Sequence, residues 1–213
     1  MKKILSKLQK LVTIQQLRAK YYRKPIELVS VSSQLGIQVD GALDLGSGPS
    51  PKNPFNASSV FGVDIRSYDI NENVRKCFIG SDPLPFRDNH FEAVTAHDVL
   101  EHIPRIVVNK DERVFPFIFA MNEVWRVLKN GGLFYSTTPC YPMKEAFQDP
   151  THVNIMTEDT LRLYFTEKAW ARIYGFKGSF RLIIEGWNGA HYFCVLQKNS
   201  EIPVEDMNSP QKR

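Results

Sequence analysis

Cysteine is scarce: the 213 residues contain three, Cys77, Cys140 and Cys194, set far apart. An odd, scattered set excludes a disulfide framework and a close-set zinc motif, and makes a reducing, cytoplasmic setting the expectation. Long apolar runs are missing too. The longest stretch free of Lys, Arg, Asp and Glu is 130–143, 14 residues, against the roughly 20 a helix needs to cross a bilayer. There is no internal repeat and no low-complexity segment. The first 24 positions lack any acidic residue but hold eight basic ones, Lys2, Lys3, Lys7, Lys10, Arg18, Lys20, Arg23 and Lys24. The rest of the chain has 19 basic and 23 acidic groups, a net of −4, so the formal +4 of the whole reports on the N-terminal segment. Bulk charge therefore gives no support for a nucleic-acid groove in the body. Of what is present, 43% hydrophobic and 23% charged residues exclude disorder over most of the length, and the chain suits one α/β domain.

Ile4, Leu5, Leu8, Leu11 and Val12 recur at three- and four-residue spacing, so residues 2–23 read as an amphipathic helix that Pro25 ends. Two uses stay open for it: packing on its own domain or a partner subunit, and peripheral attachment to an anionic membrane surface. Lys7, Gln9 and Lys10 interrupt the apolar region a secretory signal would need. Beyond a short polar stretch, brief apolar runs at 42–45, 60–65, 76–79, 91–96 and 133–137 read as strands, followed by 180–184 and 191–196. A helix over 116–129 places Phe117, Ala120, Met121, Val124, Val127 and Leu128 on one face, with Lys129 and Gly131 as its C-terminal signal. Another begins near Thr157, with Glu158 and Asp159 in its first turn. The organisation expected is a basic helix and linker (1–35), one domain (36–198) and a polar, disordered tail (199–213).

The sharpest local signal is Leu43-Asp44-Leu45-Gly46-Ser47-Gly48-Pro49-Ser50. A strand runs straight into a turn whose glycines let a ligand approach the backbone closely. Asp64 stands 20 residues after Asp44, at the end of the second strand, where a carboxylate can accept hydrogen bonds from both ribose hydroxyls. A dinucleotide fingerprint would need glycine at 51, which is Pro51, and prolines at 49 and 51 remove two amide donors from a pyrophosphate cradle. An NAD-dependent reductase is disfavoured on that ground. No lysine followed by Ser or Thr comes after the turn, so a P-loop is excluded.

These residues resemble the class I S-adenosylmethionine-dependent methyltransferases. Leu43–Gly48 is similar to the family's first motif and Gly62-Val63-Asp64 to its ribose-binding strand end. Leu84-Pro85-Phe86-Arg87-Asp88-Asn89-His90-Phe91-Glu92 resembles its approach to the fourth strand; Val99–Ile103 and Val127–Gly132 resemble the next two landmarks. The resemblance implies an α/β, doubly wound, mostly parallel seven-stranded Rossmann-like sheet with helices on both faces, binding S-adenosyl-L-methionine. It implies that Asp44, Gly46 and Gly48 meet the cofactor's amino acid end, Asp64 its ribose, and Ser81 or Asp82 its adenine amine, with His97 lining the pocket. Ser50 departs from the family's third glycine, and Pro51–Asn56 is too short and proline-rich for the helix that normally follows the turn.

On the acceptor side, Asp149-Pro150-Thr151-His152-Val153 resembles a segment of bacterial methyltransferases associated with sugar and cell-surface polysaccharide synthesis. That resemblance implies a small-molecule acceptor, a sugar or glycoconjugate hydroxyl. His152 is the expected base, with Asp149 beside it and His102 as a substrate-orienting group; a loop pinned by an Asp–His bond is the competing reading. Tyr141, Trp170 and Trp187 are candidates for stacking on a sugar face. A divalent ion held by His97 or Asp98 with Asp149 and His152 is not demanded by the spacing, so no metal is assigned. A non-catalytic adaptor of the same fold, using the basic helix to reach a partner or membrane, is the second reading.

Overall fold

The computed structural model describes residues 9, 11–16, 25–68, 70–110 and 112–199. The helix expected over 2–23 lies largely outside the described residues; 11–16 are helical, and Ile14 is buried in the core. Apart from Asn199, the tail at 199–213 lies outside them as well. After Pro25 comes a helix that the sequence reading treats as polar linker, α1 (Leu28–Gln34). Its buried face is Leu28, Val31 and Ser32, at i, i+3 and i+4, and the serines and glutamine between them mask the pattern.

The strands are β1 (Gly41–Leu45), β2 (Ser59–Asp64), β3 (Val74–Lys76), β4 (Phe91–His97), β5 (Val107–Asn109), β6 (Glu112–Val114), β7 (Leu128–Pro139), β8 (Phe180–Asn188) and β9 (His191–Lys198). The later helices are α2 (Pro116–Val127), α3 (Glu145–Gln148) and α4 (Glu158–Phe165). Seven strands form one sheet in the order β3-β2-β1-β4-β7-β9-β8, in which only β9 runs antiparallel to its neighbours. The chain moves outward from β1 through β2 to β3, then returns to place β4 on the other side of β1. That reversal opens a crevice at the carboxyl ends of β1 and β4.

Every expected sheet strand forms. β3 sits two residues early, because Cys77 onward belongs to a turn in which Asp82 Oδ2 accepts the Phe78 amide at 2.9 Å. The β5–β6 hairpin was not foreseen; its valines are exposed, so no buried face marks it. α2 ends at Val127, short of the expected Lys129. Leu128 is already extended (φ −70°, ψ 138°), and Gly131 (φ +79°) serves a bulge between the Phe91–Leu128 and Ala93–Leu133 pairs instead of a helix cap.

Alternation along the strands builds two cores. Leu43, Leu45, Val94 and Ala96 meet Met121 and Val124 of α2 and Phe165 of α4. On the other face Ala42, Ala93 and Leu133 meet Leu28 and Val31 of α1. No helix joins β1 to β2, as the prolines imply. Phe55 and Ala57 cover the sheet there, and the Asn53 side chain bonds both the amide and the carbonyl of Ala57. Among the described residues no helix is long and apolar enough to cross a membrane.

The Leu84–Phe91 segment is fixed from α2. The Leu84 amide donates to Glu123 Oε2 (2.7 Å), and Arg126 donates to the carbonyls of Leu84 (2.9 Å) and Phe86 (2.7 Å), to Asp88 Oδ1 (2.8 Å) and to Glu123. Arg126→Ala strands the nearly buried Glu123, so unfolding free energy from chemical denaturation is expected to fall by about 2–3 kcal/mol. A change below about 0.5 kcal/mol, the size of an ordinary surface substitution, would mean the clamp carries nothing.

Candidate active site

The crevice is shaped first by the turn after β1. Gly46 and Gly48 have φ of +63° and +59°, and a Cβ at Gly46 would stand 2.0 Å from Val99 Cγ2. Only glycine fits. Asp44 is 1% exposed. It accepts the Thr95 hydroxyl (2.7 Å) from the facing position of β4 and the Lys52 amide at 2.8 Å. Burial pushes its carboxyl up, against these two bonds. Asp44 thus ties the far end of the turn to the sheet. Asp64 Oδ2 accepts the Gly48 amide (2.9 Å), while Oδ1 accepts the Arg66 amide (3.0 Å) and the Tyr68 hydroxyl at 3.3 Å. The Ser47 amide is taken by Val63 O at 3.1 Å. Pro49 and Pro51 have none to give, so with Ser47, Gly48 and Lys52 already bonded the turn is poor in amide donors for an anion.

A cavity of about 1030 Å³ starts at this turn. Gly46 and Asp64 line it together with Phe78, Ile79, Ser81, Val99 and Ile103, and His102 borders it too. The hairpin (Val107, Val114) and Tyr174 complete the wall. Of the adenine-side pair, Ser81 lines the cavity. Asp82 is exposed and outside the lining, because its carboxylate closes the turn at Phe78.

The His97 ring is also outside this lining. Alternation along β4 sends Ala93, Thr95 and His97 to the α1 face, and His97 borders a second cavity of about 540 Å³ with Leu28, Pro54 and Tyr135. Its Nε2 is buried without a hydrogen-bond partner among the described residues, and burial together with Lys52 pushes its pKa down to about 4. Between pH about 6.5 and 4 the unfolded chain therefore binds a proton the folded chain refuses, and stability falls as pH drops through that window. His97→Asn is expected to remove about 2 kcal/mol of that acid sensitivity, read from denaturation curves at pH 7 and pH 4.5. Parallel pH profiles for the two proteins would contradict the assignment.

A second cluster sits where β4 and β7 end. Residues 100–102 form a 3-10 turn after β4, and Asn154 stitches it to the loop carrying His152. The Asn154 amide donates to Glu101 O (2.9 Å) and its Nδ2 to Leu100 O (2.9 Å), while Oδ1 accepts from Arg105. His102 Nδ1 lies 3.2 Å from Thr151 O and 3.0 Å from Thr151 Oγ1, whose hydroxyl donates to Asp149 Oδ1 at 2.7 Å. His152 Nδ1 lies 3.3 Å from Ala146 O, and its Nε2 is 4.0 Å from Asp149 Oδ2. The two imidazoles meet edge to face, centroids 4.9 Å apart. Glu101, 1% exposed, accepts the Thr138 hydroxyl (2.8 Å) on Oε2. Burial pushes its carboxyl up, whereas the Thr151 hydroxyl and amide hold Asp149 below the usual carboxylate range. At the rim, His191 Nε2 approaches Asp98 Oδ1 at 3.2 Å.

His152, Asp149 and His102 are thus brought together as the sequence suggested. Glu101, Thr138, Thr151 and Asn154 complete the group and carry no mark in the sequence as its members. Asp44, Gly46, Gly48 and Asp64 gather around the turn after β1, with Gly48 held by Asp64 and Lys52 by Asp44.

Residues 43–136 match a family model described as a methyltransferase domain. Among solved structures, the chain is similar to the PH0226 protein of Pyrococcus horikoshii OT3 (17% identity, 80% of this chain, 86% of that one, TM-score 0.53). It is also similar to the trans-methyltransferase CalH in complex with SAH (18%, 80% and 54%, TM-score 0.51) and the [4+2]-cyclase SpnF (15%, 81% and 80%, TM-score 0.50). Such likeness is one of fold, and the cyclase in the group is a reminder that chemistry is decided by the site. No curated protein matches the sequence.

Proposed function

We propose that the chain, whose residues 43–136 match a methyltransferase-domain model, is a class I S-adenosylmethionine-dependent methyltransferase that methylates a hydroxyl of a small-molecule acceptor, a sugar or glycoconjugate. The observation that carries the reading is that one cavity is bordered both by Gly46 and Asp64 and by His102 of the histidine cluster.

The residues fit the cofactor. A Cβ at Gly46 would fill the cradle, and Gly46 and Gly48 leave room for an amino acid end against the backbone. Asp64 Oδ2 keeps one lone pair beyond the bond from Gly48 for a ribose hydroxyl, and the long 3.3 Å Tyr68 contact on Oδ1 can give way to the second. Phe78, Ile79 and Ile103 give an adenine ring apolar walls, and Ser81 gives a polar edge. Asp44 supports the turn from beneath. When bound, S-adenosylmethionine supplies an activated methyl group on its sulfonium, so the protein's remaining work is alignment and proton removal. His152 takes the hydroxyl proton. Its ring is oriented by Ala146 O, and Asp149, kept ionised by Thr151, stabilises the imidazolium that forms. His102 positions the acceptor at the cavity mouth. Tyr141 and Phe147, 55% and 56% exposed on the loop between β7 and His152, offer aromatic faces of the kind sugars stack on.

An NAD-dependent reductase is opposed by the turn itself, where Pro49 and Pro51 lack amide hydrogens and the Ser47, Gly48 and Lys52 amides are spent on Val63, Asp64 and Asp44. The test is calorimetry with adenosylhomocysteine and with NADH, alongside mass spectrometry of ligand carried through purification. Saturable adenosylhomocysteine binding without NADH binding is expected; the reverse would overturn the reading. Cofactor binding with no methyl transfer to any of a panel of sugars and nucleotide sugars would favour the adaptor.

A further inference from the structure

We propose that Glu101, His102 and His152 form a site for a borderline divalent cation of the Zn²⁺, Co²⁺, Mn²⁺ and Fe²⁺ kind, at the acceptor end of the cavity. The three side chains each offer a ligand atom within 4.8 Å of the others, so side-chain shifts of about 1 Å would close them round one ion at ligand distances of about 2.0–2.2 Å.

Three separate features of the cluster point to a cation. Glu101 is 1% exposed, and its Oε1 has no hydrogen-bond partner among the described residues. A buried carboxylate oxygen left bare is costly, and a coordinated ion removes the cost. Next, each remaining polar atom of the set is held by an outer partner. Glu101 Oε2 takes the Thr138 hydroxyl, His102 Nδ1 faces Thr151 O and Oγ1, and His152 Nδ1 faces Ala146 O. The Thr151 hydroxyl proton goes to Asp149, so His102 Nδ1 carries its own proton, and a carbonyl partner requires the same of His152 Nδ1. Both rings then present Nε2 as a lone pair, the arrangement of metal-bound histidines whose other nitrogen is tied to a carbonyl. Finally, Asp149 and Asp98 surround the set with negative charge, and the His152 side chain is only 8% exposed.

Two imidazoles and one carboxylate suit borderline ions; Mg²⁺ and Ca²⁺ prefer oxygen. Three protein ligands leave positions open, and His102 borders the cavity. With the ion bound, His152 Nε2 is a ligand and no longer the base; an acceptor hydroxyl on the ion has its pKa lowered and releases its proton to solvent, which deepens the hydroxyl-methylation reading and rests on it for its catalytic meaning. Binding of the ion does not depend on that reading.

The experiment uses untagged full-length protein freed of metal by chelator and dialysis. Co²⁺ is added while its visible absorption is followed, and Zn²⁺ is titrated by calorimetry, without cofactor or acceptor. One ion per chain is expected, with visible Co²⁺ bands and no displacement by millimolar Mg²⁺. Glu101→Gln keeps an acceptor for Thr138, and His102→Ala alters an exposed ring; each is expected to weaken Zn²⁺ binding at least tenfold. Asp64→Ala is expected to bind Zn²⁺ like the wild type, so a failed cofactor assignment and a failed metal assignment give different results. Absence of stoichiometric binding, or binding that both cluster variants leave unchanged, overturns the site.

Discussion

His152→Ala is expected to lower methyl transfer by about a hundredfold or more while leaving adenosylhomocysteine affinity within about twofold. The split follows from where the ring lies. It stands on the loop beyond β7, edge-on to His102 and near Asp149, whereas the residues assigned to the cofactor lie after β1 and β2. Removing it takes away the group that receives the proton, an effect that general-base substitutions elsewhere place at two to four orders of magnitude. The ring also fills a nearly buried niche against Ala146, so a thermal melt must accompany the kinetics. Turnover is followed as adenosylhomocysteine released with the best acceptor of the panel. A folded variant that retains wild-type turnover sinks the assignment; one that loses cofactor binding in parallel would place His152 in the other half of the crevice.

The second large effect belongs to Asp64. Asp64→Ala is expected to weaken adenosylhomocysteine binding tenfold or more, since one or two charge-assisted hydrogen bonds at about 1.5–3 kcal/mol each are at stake. The loss has two sources. The ribose partner disappears, and so does the acceptor that holds the Gly48 amide and with it the shape of the glycine turn. Asp64→Asn separates them, because its carbonyl oxygen can still accept from Gly48 while the charge is gone. Calorimetry should therefore rank the affinities wild type, Asn, Ala. Equal affinity for wild type and a folded alanine variant would remove Asp64 from the ribose site.

What could be read from the sequence is what local chemistry dictates. The glycine turn, the acid 20 residues on, the proline-rich break and the seven sheet strands follow from spacing and backbone preference alone. Thr157 starts α4 with a reciprocal cap to Thr160, where the acidic pair at 158 and 159 marks the first turn. The misses are tertiary. Glu101 and His152 meet only because Asn154 joins segments some 50 residues apart, and no periodicity announces an asparagine that is 0% exposed. Thr138 reaches Glu101 from β7, across a strand boundary. The His97 ring could have been assigned to the α1 face from strand parity, given the buried alanine at 93. The family pattern, by contrast, implies a cofactor-facing ring at this position. Asp82 loses its ligand-facing role to a turn that its own carboxylate closes.

The stretch between β1 and β2, where a helix would ordinarily start, has a wider meaning. With no helical N-terminus aimed at the crevice, two prolines without amide hydrogens, and the Ser47, Gly48 and Lys52 amides already bonded, discrimination against phosphorylated nucleotides is written into main-chain geometry. No exchange of one side chain would convert this pocket to dinucleotide use. Redirecting it would mean rebuilding the whole passage from Gly46 to Ser58.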